Sequence, residues 1–215
     1  MRLPQSDNRL AVIGATGSGK SHAALWHLSL QDIDKRPWLI YNFKNEKLID
    51  NIPMSHPIGM NEVPIKPGVY IAHPLPHQNE AVETQMWSIW EKEGIGIYID
   101  EGYMIGRHNA AYRALLTQGR SKEIPIITLS QRPRYLDPFA LSEAEFYQIF
   151  RLQWEKDRKA VEEFVPADLS EPLPIYHSHY YDVGENRLHK LAPVPDMKEI
   201  YRSFEHKLRT TRKTT

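Results

Sequence analysis

Apolar residues along this chain gather into short unbroken runs, and the stretches between them carry apolar positions at helical spacing. Leu10-Ala11-Val12-Ile13, Trp38-Leu39-Ile40-Tyr41, Val69-Tyr70-Ile71-Ala72, Ile95-Gly96-Ile97-Tyr98-Ile99 and Ile124-Pro125-Ile126-Ile127-Thr128-Leu129 lack the alternation of a half-solvated strand. Such runs read as strands buried on both faces, the habit of a parallel sheet covered by helices. Between them, Ala23-Ala24-Leu25-Trp26-His27-Leu28 reads as helix. Val82, Met86, Ile89 and Trp90 recur at helical spacing, which predicts a helix over about 79–91 with those side chains on one core-facing stripe. Strands alternating with helices predict an α/β fold, a mostly parallel sheet with helices on both faces.

Residues 140–165 predict a helix pair around a strand, with Phe146, Ile149 and Phe150 on one apolar side and Asp157-Arg158-Lys159-Ala160-Val161 as a solvent-facing helix start. After Pro166 the pattern alternates. Tyr176-His177-Ser178-His179-Tyr180-Tyr181 and Arg187-Leu188-His189-Lys190-Leu191 flank the turn residues Val183-Gly184-Glu185-Asn186, predicting a β-hairpin. His177 and His179 sit on one face of the first strand, but only Asp182 and His189 are near enough in sequence to complete a metal site, so they read as partly exposed polar positions. His206, Lys207, Arg209, Arg212 and Lys213 close the chain without an intervening carboxylate in the last ten residues, which predicts a frayed basic tail.

A chain of 215 residues suits one domain with a substantial core. Lys+Arg and Asp+Glu both number 27, so contact with a polyanion must come from local patches rather than a global field. There is no cysteine, which excludes disulfides and thiolate metal sites. Neither a signal-peptide pattern at Met1–Asn8 nor a membrane-spanning apolar run is present, and the expectation is a cytoplasmic location, in the host cytoplasm or with the virion if the protein is viral.

The chemistry begins at Gly14-Ala15-Thr16-Gly17-Ser18-Gly19-Lys20-Ser21, which fits GxxxxGK[ST] at every fixed position between a predicted strand and a predicted helix. Glycines let the backbone come close to phosphates, and N–H groups at the helix start face the anion. Lys20 is expected to reach the β- and γ-phosphates of ATP, and Ser21 to ligate Mg²⁺. The fold is then RecA-like, a P-loop NTPase, with an ATPase core over residues 1–165. The β-hairpin and basic helical tail over 166–215 are expected to pack on the same domain.

Asp100-Glu101 ends the strand Ile95–Ile99 and has the form of a Walker B pair. A parallel strand delivers carboxylates to its C-terminal edge, where Asp100 is suited to hold Mg²⁺ and Glu101 to polarise the attacking water. The strand over 124–130 ends at Gln131, placed to hydrogen-bond the γ-phosphate or that water; a solvated loop glutamine is the competing reading.

Gly14–Ser21, Asp100-Glu101, Gly119-Arg120-Ser121-Lys122 and Ser130-Gln131-Arg132-Pro133 occur in an order that resembles the additional-strand P-loop ATPases of the FtsK–HerA superfamily, including genome-packaging ATPases of tailless, membrane-containing phages. The resemblance covers about residues 9–165. It implies a homo-oligomeric ring, hexameric in the family, that moves double-stranded DNA, with a capsid or portal-type protein as a possible partner. It also implies an arginine supplied across the subunit interface, at the position of Arg120, with Arg132 as rival and a purely structural pair with Glu123 or another local acid as the alternative. Relatives often carry an acid where Asn42 stands; Lys44 and Glu46 fit that segment loosely. Arg120, Lys122, Arg132 and Arg134 suit either DNA contact or a subunit interface, and Arg107, His108 and the tail add further basic positions. Two other readings are a zonula-occludens-toxin-like phage assembly and export ATPase, and a small-molecule kinase. The first usually includes a membrane-spanning segment, and the second fits a water-activating Glu101 less well.

Overall fold

The computed structural model describes residues 1–211, with side chains through Arg209, so Arg212 and Lys213 of the basic tail lie outside the described residues. The alternating pattern folds as β1 (Arg9–Ile13), α1 (Lys20–Leu30), β2 (Pro37–Asn42), α2 (Lys47–Asp50), β3 (His56–Pro57), β4 (Gly68–Ala72), α3 (Asn79–Lys92) and β5 (Gly96–Asp100). There follow α4 (Ala110–Gln118), β6 (Ile126–Ser130), α5 (Phe139–Ser142), β7 (Phe146–Ile149), α6 (Glu155–Glu162), β8 (Ser178–Asp182), β9 (Arg187–Leu191) and α7 (Met197–Thr211). One sheet joins all nine strands in the order β3-β4-β2-β5-β6-β1-β7-β8-β9. Pairing is parallel from β3 to β7, and β8 and β9 continue it antiparallel. Strand β6 lies between β1 and β5, which brings the chain segments after these three strands to one sheet edge.

Side-chain alternation divides the core into two layers. Ala11, Ile13, Leu39, Tyr41, Ile97 and Ile99 pack against Val82, Met86 and Ile89 of α3 and Leu115 of α4. Leu10, Val12, Trp38, Ile40 and Tyr98 face the other way onto Leu25 and Leu28 of α1 and Ile200, Phe204 and Leu208 of α7. Trp90, expected on the core stripe of α3, is only partly buried.

Three expectations are corrected. Phe146 and Phe150 belong to one core layer and Ile149 to the other, because this segment is a strand and period two puts 146 and 149 on opposite faces. The start of α6 is not wholly solvent-facing: Asp157 is 1% exposed and ion-pairs with Arg132 at 3.5 Å. The C-terminal segment is not frayed through 211. It forms α7, whose Ile200, Phe204 and Leu208 sit on the core at i, i+4, i+8, each burial contributing about 1.5–3 kcal/mol. Polar contacts fix the seat: Tyr201 donates to the Leu48 carbonyl at 2.7 Å and Lys207 to the Gln31 carbonyl at 2.6 Å. No described helix is long and apolar enough to cross a membrane.

Candidate nucleotide-hydrolysis site

The segment between β1 and α1 closes as a compact loop. Gly14 N–H donates to the Ser130 carbonyl at 3.1 Å and Ala15 N–H to the Arg151 carbonyl at 3.0 Å, tying the loop to the ends of β6 and β7. At Gly14 a Cβ would stand 2.5 Å from Ser18 Oγ and 2.7 Å from Phe150 Cβ, so a side chain there has no room. Gly19 takes φ +101°, closed to most residues, and turns the chain into α1. The N-terminus of α1 has no side-chain cap and no acid in its first turn, so its N–H groups and the positive end of its dipole stay open to an anion. Lys20 and Ser21 line a cavity of about 520 Å³ against this terminus.

The acids come from the end of β5. Asp100 is 2% exposed, and its Oδ2 is buried without a hydrogen-bond partner. Burial pushes its carboxyl up to about 6; Glu101 adds to the rise, and Lys20 and Lys44 oppose it. Glu101 is fully buried in a left-handed conformation, φ 62° and ψ 69°, which is strained for a non-glycine residue. Its Oε1 receives Lys44 Nζ at 2.6 Å and Lys20 Nζ at 3.4 Å, while Oε2 accepts the Gln131 N–H at 3.1 Å. The Gln131 side chain accepts from Thr16 Oγ1 of the loop and donates to the Tyr103 hydroxyl at 3.5 Å. Gln131 therefore links the phosphate loop to Glu101 through both its side chain and its backbone.

No family model matches the chain. It is 44% identical over 216 residues to the DNA packaging ATPase P9 of Enterobacteria phage PRD1, the alignment spanning 95% of each chain. The chain belongs to the phage DNA packaging ATPases. Solved structures agree on the fold. The genome packaging NTPase B204 of Sulfolobus turreted icosahedral virus 2, in complex with AMPPCP, matches with a TM-score of 0.69 at 17% identity, over 89% of this chain and 100% of that one. VirB4 of Thermoanaerobacter pseudethanolicus matches with a TM-score of 0.68 at 10% identity, over 89% and 90%.

In this packaging ATPase the candidate arginines lie apart. Arg120 sits in a 3₁₀ turn, Gly119–Lys122, ahead of β6, at the sheet edge opposite to Gln131. Its side chain is 61% exposed and faces Asp7 at 3.5 Å and Glu145 at 3.4 Å; Glu123 instead meets Arg36 at 3.8 Å. Arg132 is beside Gln131, held by Asp157 and stacked 5.1 Å from the centroid of Trp154. Asn42, at the end of β2, is buried and donates to Asp50 at 2.8 Å while accepting the Glu46 N–H at 2.8 Å, so it shapes the turn that carries Lys44. His179 is buried on β8, His177 precedes that strand, and Asp182 is engaged by Arg2 at 2.7 Å. Sequence reasoning noted Lys44 without a role. Its available signal is a cation just past the end of β2, on the sheet edge that β5 reaches with its acids.

Proposed function

We propose that this packaging ATPase binds ATP with Mg²⁺ at the α1 N-terminus, hydrolyses it, and uses the cycle to drive double-stranded DNA into a preformed shell as a homo-oligomeric ring. The observation that carries the proposal is Glu101, buried, with the lysine ammoniums on one oxygen and the Gln131 N–H on the other, and linked through Gln131 to a phosphate loop beside a helix terminus that no side chain caps. The relative's printed role in DNA packaging and the ATP-analogue complex of the structural neighbour support it.

In this reading Lys20 leaves Glu101 for the β- and γ-phosphates, and the amides at the start of α1, together with the loop amides that no backbone carbonyl engages, take the remaining anion charge. Ser21 and Asp100 would hold the metal. The partnerless Oδ2 of Asp100 fits that use, since a buried carboxylate oxygen with no donor calls for a cation. Mg²⁺ supplies charge neutralisation at the phosphoryl oxygens. Glu101 then accepts a proton from the attacking water, with Gln131 orienting that water or the γ-phosphate. Arg120 acts on the neighbouring subunit's nucleotide; its exposure and its distance from this chain's own loop favour that direction over an in-chain role. The core over 1–165 and the part over 166–215 work as one domain, supported by the pairing of β8 with β7 and the seat of α7 on α1.

Phosphate release with and without double-stranded DNA tests the reading. Wild type should turn over ATP and be stimulated by DNA, and Glu101→Gln should lose about 10²–10⁴-fold in kcat while still binding ATP. Unchanged turnover in Glu101→Gln sinks it.

A further inference from the structure

Tyr176 has a backbone that its side chain does not explain. At φ 62° it occupies the left-handed region, an outlier for a bulky residue. The chain between α6 and β8 nonetheless delivers it to the phosphate loop, where its Cδ1 lies 3.2 Å from the point a Gly19 Cβ would occupy, and its residue surface remains 54% exposed. Strain of this kind persists where the surroundings impose it, and it concentrates at ligand sites. A ring held over the α1 N-terminus and left open is poorly used as core.

The cavity lined by Lys20 and Ser21 is also lined by Tyr176, Phe150, Pro193, Pro195, Asp196 and Glu46. Its volume of about 520 Å³ falls within the usual range of small-molecule sites. Lys20 and the uncapped α1 terminus offer positive charge to phosphate, and the carboxylates of Glu46 and Asp196 in the same lining can accept from hydroxyls. Pro193 and Pro195 bring no backbone N–H, so that stretch of wall is poor in donors.

We infer that Tyr176 is the stacking platform for the nucleobase, with Glu46 and Asp196 receiving the ribose hydroxyls, and that the site selects purine over pyrimidine nucleotides by stacking area with little discrimination between ATP and GTP. The inference rests on the nucleotide reading above and adds the base and sugar to it. Asp196 also caps α7 by accepting the Glu199 N–H at 3.0 Å, so the cavity lining and the start of that helix share one residue.

Equilibrium binding of ATP, GTP, CTP and tripolyphosphate to the full chain separates the two claims. Tyr176→Asn removes the ring while tolerating the left-handed backbone, and Tyr176→Phe keeps the ring. Wild type should bind ATP and GTP within about threefold of each other and CTP about tenfold more weakly; Tyr176→Asn should lose about tenfold for the purines, with tripolyphosphate affinity unchanged. Tyr176→Phe should match wild type. Full purine affinity in Tyr176→Asn overturns the inference, and so does a parallel loss of tripolyphosphate, which would make Tyr176 a packing residue for Gly19. Wild type that binds neither ATP nor tripolyphosphate overturns the nucleotide reading itself and this inference with it.

Discussion

Lys44 Nζ stands 2.6 Å from Glu101 Oε1, on the same oxygen that Lys20 approaches at 3.4 Å. In the proposed cycle Lys20 turns to the triphosphate, which leaves Lys44 to hold the carboxylate. Lys44→Met should therefore lower kcat by about ten- to a hundredfold with the KM for ATP little changed, because orientation of the base is lost while the phosphate cradle stays. Lys44→Arg should recover part of the loss. A kcat at the wild-type level in Lys44→Met would remove Lys44 from the site.

The proposed inter-subunit role of Arg120 makes a distinctive prediction for mixtures. Arg120→Ala and Lys20→Ala should each be nearly inactive, and mixing them should restore ATPase activity, since an intact loop on one subunit meets an intact arginine on the other. If the mixture stays as inactive as its components, Arg120 serves only its pairs with Asp7 and Glu145.

His27 of α1 gives stability a pH dependence. It is fully buried, its Nε2–H donates to Gln148 Oε1 at 2.8 Å, and its Nδ1 has no partner, so the neutral ring fits and the charged one does not. Burial lowers its pKa from 6.5 to about 4. Between those values the unfolded chain binds a proton that the folded chain refuses, so stability falls as pH drops from about 6.5 to about 4, by up to about 3 kcal/mol. Asp100, raised from 3.8 to about 6, works in the opposite sense, its folded state losing stability as pH climbs through that window. Urea midpoints of wild type and His27→Leu at pH 7 and pH 4.5 isolate the histidine, because the Asp100 contribution is common to both. The difference between the two proteins should shift toward the variant at low pH; a constant difference would refute the assignment.

Phe204 should be the most costly truncation on α7. It is fully buried, and Phe204→Ala is expected to lose about 3–5 kcal/mol, whereas the exposed Arg202→Ala should stay within about 0.5 kcal/mol. Thermal melts that show equal effects would mean that α7 does not carry core.

The sheet and the acids were legible because each depends on local pattern. Ile97-Tyr98-Ile99 announces a buried strand, and Asp100-Glu101 directly after it announces a polar sheet edge. What escaped depends on partners distant in sequence. Asp157 reads as solvated until Arg132 is found beside it, and Lys44 acquires meaning only from Glu101, 57 residues away. Alternation with Ser178 and Tyr180 predicts Tyr176 in the first hairpin strand, but the strand begins at Ser178 and Tyr176 lies against Gly19 of the loop instead. Amphipathic packing of α7 is masked by its charge: His206, Lys207 and Arg209, among the basic residues that suggest fraying, are carried on the same helix as Ile200, Phe204 and Leu208.

Strand β6 is buried at all five positions and wedged between β1 and β5, so it has no freedom to bend. It spans about 17 Å at ~3.3 Å per residue. Gln131 follows one end and the turn bearing Arg120 precedes the other, which makes the strand a stiff pushrod from this subunit's fuel chamber to the face a neighbour would use. In the proposed ring, any displacement of Gln131 on loss of the terminal phosphate would reach the Arg120 turn along this strand, so that mechanics inside each subunit could set the firing order.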